Sequence, residues 1–299
     1  MTQLSITQQM FHVTVRMAVE TAAGRRTGTG YWIAVRDADG MSHRILVTNK
    51  HVLDGATAVT FTMAKGKQGI PLPEPATLRL NGITDQHWFG HPDPRVDVAV
   101  MYGALITDAM QRNGIDAFTA YIGEDLVLSS KNAGRLDAIE DVLFIGYPNG
   151  LYDTHNTLPI ARKGMTATPI NSDYRGTPTF LIDASIFGGS SGSPVFIFDR
   201  HARTSGVGGI AITGESRLLH LGVVAAVHTR QVSGAVMELP ASSVAVFDEG
   251  LDLGLVYKAS TVLEAADGLL AKLGRTPADR SVAVSSSAGL PTAQRPTPN

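Results

Sequence analysis

Gly189-Ser190-Ser191-Gly192-Ser193-Pro194 decides how this 299-residue chain is read. A serine on such a loop becomes a nucleophile only with three further parts. An imidazole must take the hydroxyl proton, a carboxylate must hold that imidazole in the right tautomer, and backbone N–H groups must face the developing oxyanion. Each part has a candidate. Gly189 lets the backbone turn back so that its own N–H and that of Ser191 converge, and Gly192 and Pro194 keep the turn open and stiff. Upstream, Thr48-Asn49-Lys50-His51-Val52 offers the imidazole and Asp97-Val98-Ala99-Val100 the carboxylate. Ser191 therefore reads as the nucleophile, His51 as the base, Asp97 as its orienter, and the Gly189 and Ser191 amides as the oxyanion hole.

The chain order His, Asp, Ser is that of the chymotrypsin-like proteases and differs from that of subtilisins and α/β-hydrolases. His51 follows the apolar strand Arg44-Ile45-Leu46-Val47-Thr48, similar to a T-x-x-H-V element, and Asp97 opens a stretch similar to D-[IV]-A-[LV]. Gly28-Thr29-Gly30-Tyr31-Trp32-Ile33 resembles the G-[TS]-G-[FW] hairpin before the histidine strand. Phe144-Ile145-Gly146-Tyr147-Pro148-Asn149-Gly150, followed by Arg162-Lys163-Gly164, resembles the start of a second barrel. Over most of residues 10–260 the chain resembles the bacterial trypsin-like serine peptidases.

That resemblance implies an all-β fold of two antiparallel six-stranded β-barrels with the site in the cleft between them. Residues 10–128 would form the barrel carrying His51 and Asp97, residues 135–258 the barrel carrying Ser191, and residues 260–274 a closing helix. Periodicity alone supports only a mostly β chain. The implied activity is a serine endopeptidase working through an acyl-enzyme, with a protein or peptide substrate and no metal or organic cofactor. By family spacing Ser185 lies near the floor of the substrate pocket; being neutral, it does not support a preference for Arg or Lys. His228 lies on the pocket-wall strand, where some viral members use a histidine to recognise glutamine or glutamate; the plainer alternative is a strand-end histidine bonded to backbone or water. Secreted digestive members place an Asp directly before the nucleophile to bind a newly cleaved N-terminus. Ser190 stands there instead, so activation by propeptide cleavage is not expected.

Composition narrows the class. A net charge of −2 without a basic stripe argues against nucleic acid as a partner. The absence of cysteine excludes disulfides, thiol catalysis and Cys-ligated metal. No apolar run approaches the roughly 18 residues of a membrane span, and the first residues lack a basic segment followed by a long apolar one, so a cytoplasmic protein is expected. His87 and His91 are separated by Gly90 and flanked by Pro92, which break any helix that would align them for a metal. Gly206-Val207-Gly208-Gly209 lacks the Lys-Ser/Thr of a phosphate loop, and residues 199–217 read as an insertion beside the cleft.

Along the chain, β-branched apolar runs alternate with Gly, Pro and Asp clusters. Runs from Val13 to Val19, Trp32 to Val35, Ile45 to Val47, Val59 to Met63, Leu78 to Leu80 and Val98 to Tyr102 predict the first barrel. Runs from Leu143 to Ile145, Leu158 to Ala167, Phe180 to Asp183, Pro194 to Phe198, Leu218 to Val227 and Val244 to Val246 predict the second. Ile106 to Arg112 reads as a helical turn between them. The spacing of Val262, Leu263, Ala266, Leu269, Leu270 and Leu273 predicts a helix capped at Ser260 or Thr261 and stopped by Gly274. Residues 275–299, rich in Ser, Pro, Thr and Ala, are expected to be a disordered tail. Two alternatives stand beside the protease. One is a catalytically silent module that binds extended peptides by strand addition. The other is a protease gated by a regulatory protein partner, serving bacterial regulation or defence.

Overall fold

Val15, Met17 and Val19 point into a core while Arg16, Ala18 and Glu20 face outward, the two-residue period of a half-buried strand. This pattern recurs through the computed structural model. It describes residues 4–129, 136–199, 203–204, 212–213, 217–237 and 242–280, with backbone alone for 203–204, 212–213, 226–237 and 242–251.

After the short helix α1 (Ile6–Phe11), the N-terminal half contains eight strands. They are β1 (Thr14–Thr21), β2 (Gly24–Arg36), β3 (Ser42–Thr48), β4 (Ala56–Lys67), β5 (Ile70–Asn81), β6 (Phe89–Gly90), β7 (Ala99–Tyr102) and β8 (Ile122–Gly123). The single turn α2 (Lys50–Leu53) follows β3, and α3 (Gly103–Arg112) follows β7. The sheet runs β5-β4-β1-β2-β3-β7-β6, with β8 added in parallel to β2.

This half is not the closed six-stranded barrel that the resemblance implies. The edge of β4 is taken by the segment after α3: Phe118 N donates to Ala64 O at 2.8 Å and Gly66 N to Asp116 O at 2.9 Å. Helix α3 buries Ile106, Ala109 and Met110 in the same core as Leu46, Phe61 and Leu78. Helix and segment thus satisfy the backbone groups and apolar surface that a closing strand pair would have covered.

The C-terminal half is a closed six-stranded barrel, β10-β11-β16-β15-β12-β9. Its strands are β9 (Asp141–Gly146), β10 (Ile160–Thr166), β11 (Thr179–Asp183), β12 (Pro194–Asp199), β15 (Arg217–Met237) and β16 (Ser242–Lys258). Within the insertion after β12, Arg203–Thr204 and Ile212–Thr213 pair as β13 and β14; the rest of residues 200–216 lies outside the described residues. β15 and β16 are far longer than their apolar runs suggest, pairing from Gly222↔Lys258 out to Met237↔Ser242.

Helix α4 (Ala259–Lys272) closes the seam between the halves. Val262, Ala265, Ala266, Leu269 and Leu270 join one core with Val47 and Val100 of the first half and Val223 and Tyr257 of the second. Gly274, at φ +73°, ends the helix in a Schellman motif, with Gly274 N donating to Ala271 O and Arg275 N to Leu270 O. Residues 275–280 do not begin a disordered tail: Ala38 N donates to Thr276 O at 2.8 Å, and Arg280 pairs with Asp267 at 2.9 Å. The remainder, 281–299, lies outside the described residues.

The seam also holds His220, fully buried, its ring 5.2 Å from Tyr31 and 5.7 Å from Phe196. Burial drives its pKa down to about 3. Among the described residues no helix is long and apolar enough to cross a membrane.

Candidate active site

β3 ends at Thr48 and the chain makes the turn α2, whose Val52 and Leu53 are buried, so His51 faces outward. Gly28 permits this seat, since a Cβ there would stand 2.7 Å from Val52 Cγ1. Asp97 is aimed the same way. Val96 and Val98 enter the core, and the residue between them turns to the other side.

His51 Nδ1 and Asp97 Oδ2 are 2.5 Å apart, and Asp97 Oδ1 accepts the His51 main-chain N–H at 3.0 Å. Two bonds to one residue fix both the ring and its backbone. The carboxylate favours the tautomer protonated at Nδ1, leaving Nε2 as the basic nitrogen. The loop carrying Asp97 is pinned from several directions. Asn49 Nδ2 donates to Asp97 O at 2.6 Å, Tyr257 Oη of β16 donates to Arg95 O at 2.7 Å, and His91 Nε2 lies 2.9 Å from Glu264 Oε2 of α4. His91 Nδ1 accepts from Asp93 N at 3.1 Å, so both its ring nitrogens are engaged within the protein. The Arg95 guanidinium holds the Asp93 carboxyl down to about 2. Lys50 Nζ donates to Asp93 O at 3.0 Å; burial lowers its pKa, against the opposing pull of Asp97, Asp93 and Asp54.

Ser191 is held by main-chain geometry. Gly192, at φ +87°, admits no side chain, because a Cβ would fall 1.8 Å from Thr29 O. Thr29 N donates to Ser191 O at 2.8 Å, Gly192 N to Val224 O at 2.8 Å, and Val224 N to Ser193 O at 2.9 Å. Gly189 has φ +79°, and Gly188 O accepts from Asn149 N at 2.5 Å. In a trans peptide the N–H opposes the C=O, so the Gly189 N–H points away from Asn149. Among the described residues neither the Gly189 nor the Ser191 amide has a backbone acceptor.

Thr29, fully buried, ties the two halves together. Its hydroxyl donates to Gly189 O at 3.0 Å and accepts from Tyr147 N at 3.1 Å, while its carbonyl accepts from Thr48 Oγ1 at 2.8 Å. The Ser191 loop and the strand before His51 thus share one threonine. The Ser191 hydroxyl donates to Ala225 O of β15 at 3.1 Å, and among the described residues it has no bond to His51.

Residues 28–207 match the trypsin-like peptidase domain. The chain belongs to that family. Solved structures similar to this trypsin-like peptidase include several proteases, all at low identity. An HtrA-type protease, AlgW, with a tripeptide is 14% identical, with 90% of this chain and 64% of that one covered and a TM-score of 0.46. The serine endoprotease from Yersinia pestis is 18% identical, with 92% and 70% covered and a TM-score of 0.45. The Rv3671c protease from M. tuberculosis is 18% identical, with 94% and 89% covered and a TM-score of 0.43. No match was found among curated proteins.

Ser185 and His228 were the two residues named for the substrate pocket of this trypsin-like peptidase. Ser185 is exposed between buried Ala184 and Ile186, and Ile186 fills the space above Gly254, where a Cβ would lie 1.8 Å from Ile186 Cδ1. The backbone of His228 pairs with Leu253, and its side chain lies outside the described residues. Thr29, Asn49, Asn149 and Tyr257 were not singled out from sequence as site residues. Only Thr29 carried a signal, the Gly-Thr-Gly hairpin.

Proposed function

We propose that this protein is a serine endopeptidase. Ser191 attacks the scissile carbonyl, His51 Nε2 takes its proton and returns it to the leaving amine, and Asp97 keeps the imidazole oriented and stabilises its cationic form. The Gly189 and Ser191 amides receive the oxyanion, at about 3 kcal/mol of barrier per donor in related chemistry. The observation that carries this reading is the doubly bonded His51–Asp97 pair, together with a glycine loop whose Gly189 and Ser191 amides have no backbone acceptor among the described residues. Water then hydrolyses the acyl-enzyme by the reverse proton path, and no step calls for a metal or cofactor. We place the protein in the cytoplasm, in keeping with a chain free of cysteine.

A fluorophosphonate probe tests the proposal. Labelling at Ser191, abolished in Ser191→Ala with the melting temperature retained, is expected, together with loss of peptide cleavage by ~10⁴-fold or more. An unlabelled Ser191 in folded protein would refute it.

A second reading is favoured by one specific contact. The Ser191 hydroxyl donates to the Ala225 carbonyl rather than to His51, the arrangement of a site at rest. A partner strand that occupies the Ala225 carbonyl would release the hydroxyl by a χ1 rotation, making activity conditional on that partner. Full activity of the isolated protein on denatured casein would remove this gating.

A further inference from the structure

Past His51, on the outer face of the N-terminal sheet, lies a groove of about 520 Å³ whose charged lining is Arg16, Arg25, Arg26, Arg79 and Glu20. It borders the site on two sides. Arg26 Nε donates to Val52 O at 3.1 Å and its Nη2 bonds Asp54 O, so this guanidinium lies against the end of the turn that carries His51. Arg16 Nε donates to Gly150 O at 3.3 Å, and its guanidinium lies over the Tyr152 ring at 5.3 Å. A Cβ built on Gly150 would stand 3.4 Å from both Arg16 Nη2 and Thr27 Cγ2, and one built on Gly189 only 3.2 Å from Gly150 N. One residue therefore separates the groove from the oxyanion glycine.

The charges do not balance. Glu20 is shared by Arg79, through two 2.7 Å bonds, and Arg25 at 3.2 Å. Arg16 and Arg26 bond carbonyl oxygens, and the acid adjoining Arg26 is the exposed Asp54, which accepts from it through its main-chain carbonyl. Their planar guanidinium forks match carboxylates. Because His51 hands its proton to the leaving amine, the substrate segment after the cut bond passes His51, and Arg26 lies against the turn that carries it.

Resting on the peptidase reading, we propose that this groove receives acidic side chains of the residues following the scissile bond, making the enzyme selective for substrates with Glu or Asp on the leaving side. The contacts are solvent-exposed, so each acidic residue raises kcat/KM by about three- to fivefold, and added salt erodes the preference.

The test takes one peptide that the protein cleaves and varies the three residues after the cut between Glu, Ala and Lys. Wild type is expected to rank Glu over Ala over Lys, and the Glu-to-Ala ratio should fall to one or below in an Arg16→Gln/Arg25→Glu variant. In parallel, a fluorescein-labelled nonapeptide with three glutamates should bind the Ser191→Ala protein more tightly than its glutamine counterpart by anisotropy, and lose that advantage in 0.5 M salt (a value of about that size screens surface pairs). Equal cleavage and equal binding of acidic and neutral peptides would overturn the groove while leaving the peptidase standing. If no peptide is cut and no probe labels Ser191, the peptidase reading falls and the anisotropy alone decides the groove.

Discussion

The two halves of the site are held by different physics. His51 and Asp97 are joined by side-chain bonds in an open sheet, 2.5 Å between ring and carboxylate and 3.0 Å to the backbone. Ser191 is held on a closed barrel by main-chain bonds and by glycines whose φ values of +79° and +87° no other residue adopts without strain. The first half is therefore sensitive to changes in charge and proton position, the second to changes in volume. Both meet at Thr29.

Asp97→Asn is the sharpest way to break the first half. It keeps shape while reversing the favoured tautomer of His51, so kcat should fall ~10⁴-fold with little change in the melting temperature. A loss below tenfold would mean that the carboxylate does not orient the base. Gly192→Ala attacks the second half through volume alone. The added Cβ collides with Thr29 O and forces an L residue to φ +87°. A stability loss of about 1–3 kcal/mol or more in denaturant titration is expected, with kcat down ~10²-fold as the oxyanion amides shift. Unchanged fluorophosphonate labelling of this variant would show that the loop's geometry is not what presents Ser191.

The smallest effect belongs to the seam. Folding holds His220 neutral down to about pH 3, whereas the unfolded chain protonates it near 6.5, so the unfolded state binds more protons between those values. Stability from this group is complete above about pH 6.5 and is lost as pH falls. His12, lowered to about 4 by burial, acts in the same direction. His220→Leu should flatten the acid limb of melting temperature against pH by one proton's worth, leaving the limb due to His12. An unaltered slope would show that His220 does not titrate on unfolding.

Much of the site was readable in the residues themselves. The Val96-Asp97-Val98 alternation aims the carboxylate, and Gly189 and Gly192 stand where positive φ is required. The β3, β7 and β12 runs and the helical spacing before Gly274 also announce their elements. What escaped sequence reading depends on long-range pairing. The first sheet stays open because residues 116–118 pair with β4 and α3 fills the gap, and neither event has a local periodicity. The pairing of β15 with β16 extends well beyond their apolar runs, and backbone ladder bonds, open to any non-proline residue, leave no mark in the residue pattern.

By itself the amino-acid sequence determined which chemistry is on offer, because a hydroxyl, an imidazole, a carboxylate and two glycines are matters of residue type and local backbone freedom. Only the tertiary structure decided how they are used. It placed Asp97 on both His51 nitrogens that face it, one of the ring and one of the main chain, parked the Ser191 hydroxyl on Ala225, and set an arginine-lined groove beside them. Those outcomes turn on contacts between residues tens of positions apart, whose distances are fixed by how a sheet and a barrel pack across α4 and Thr29 rather than by any short stretch of chain.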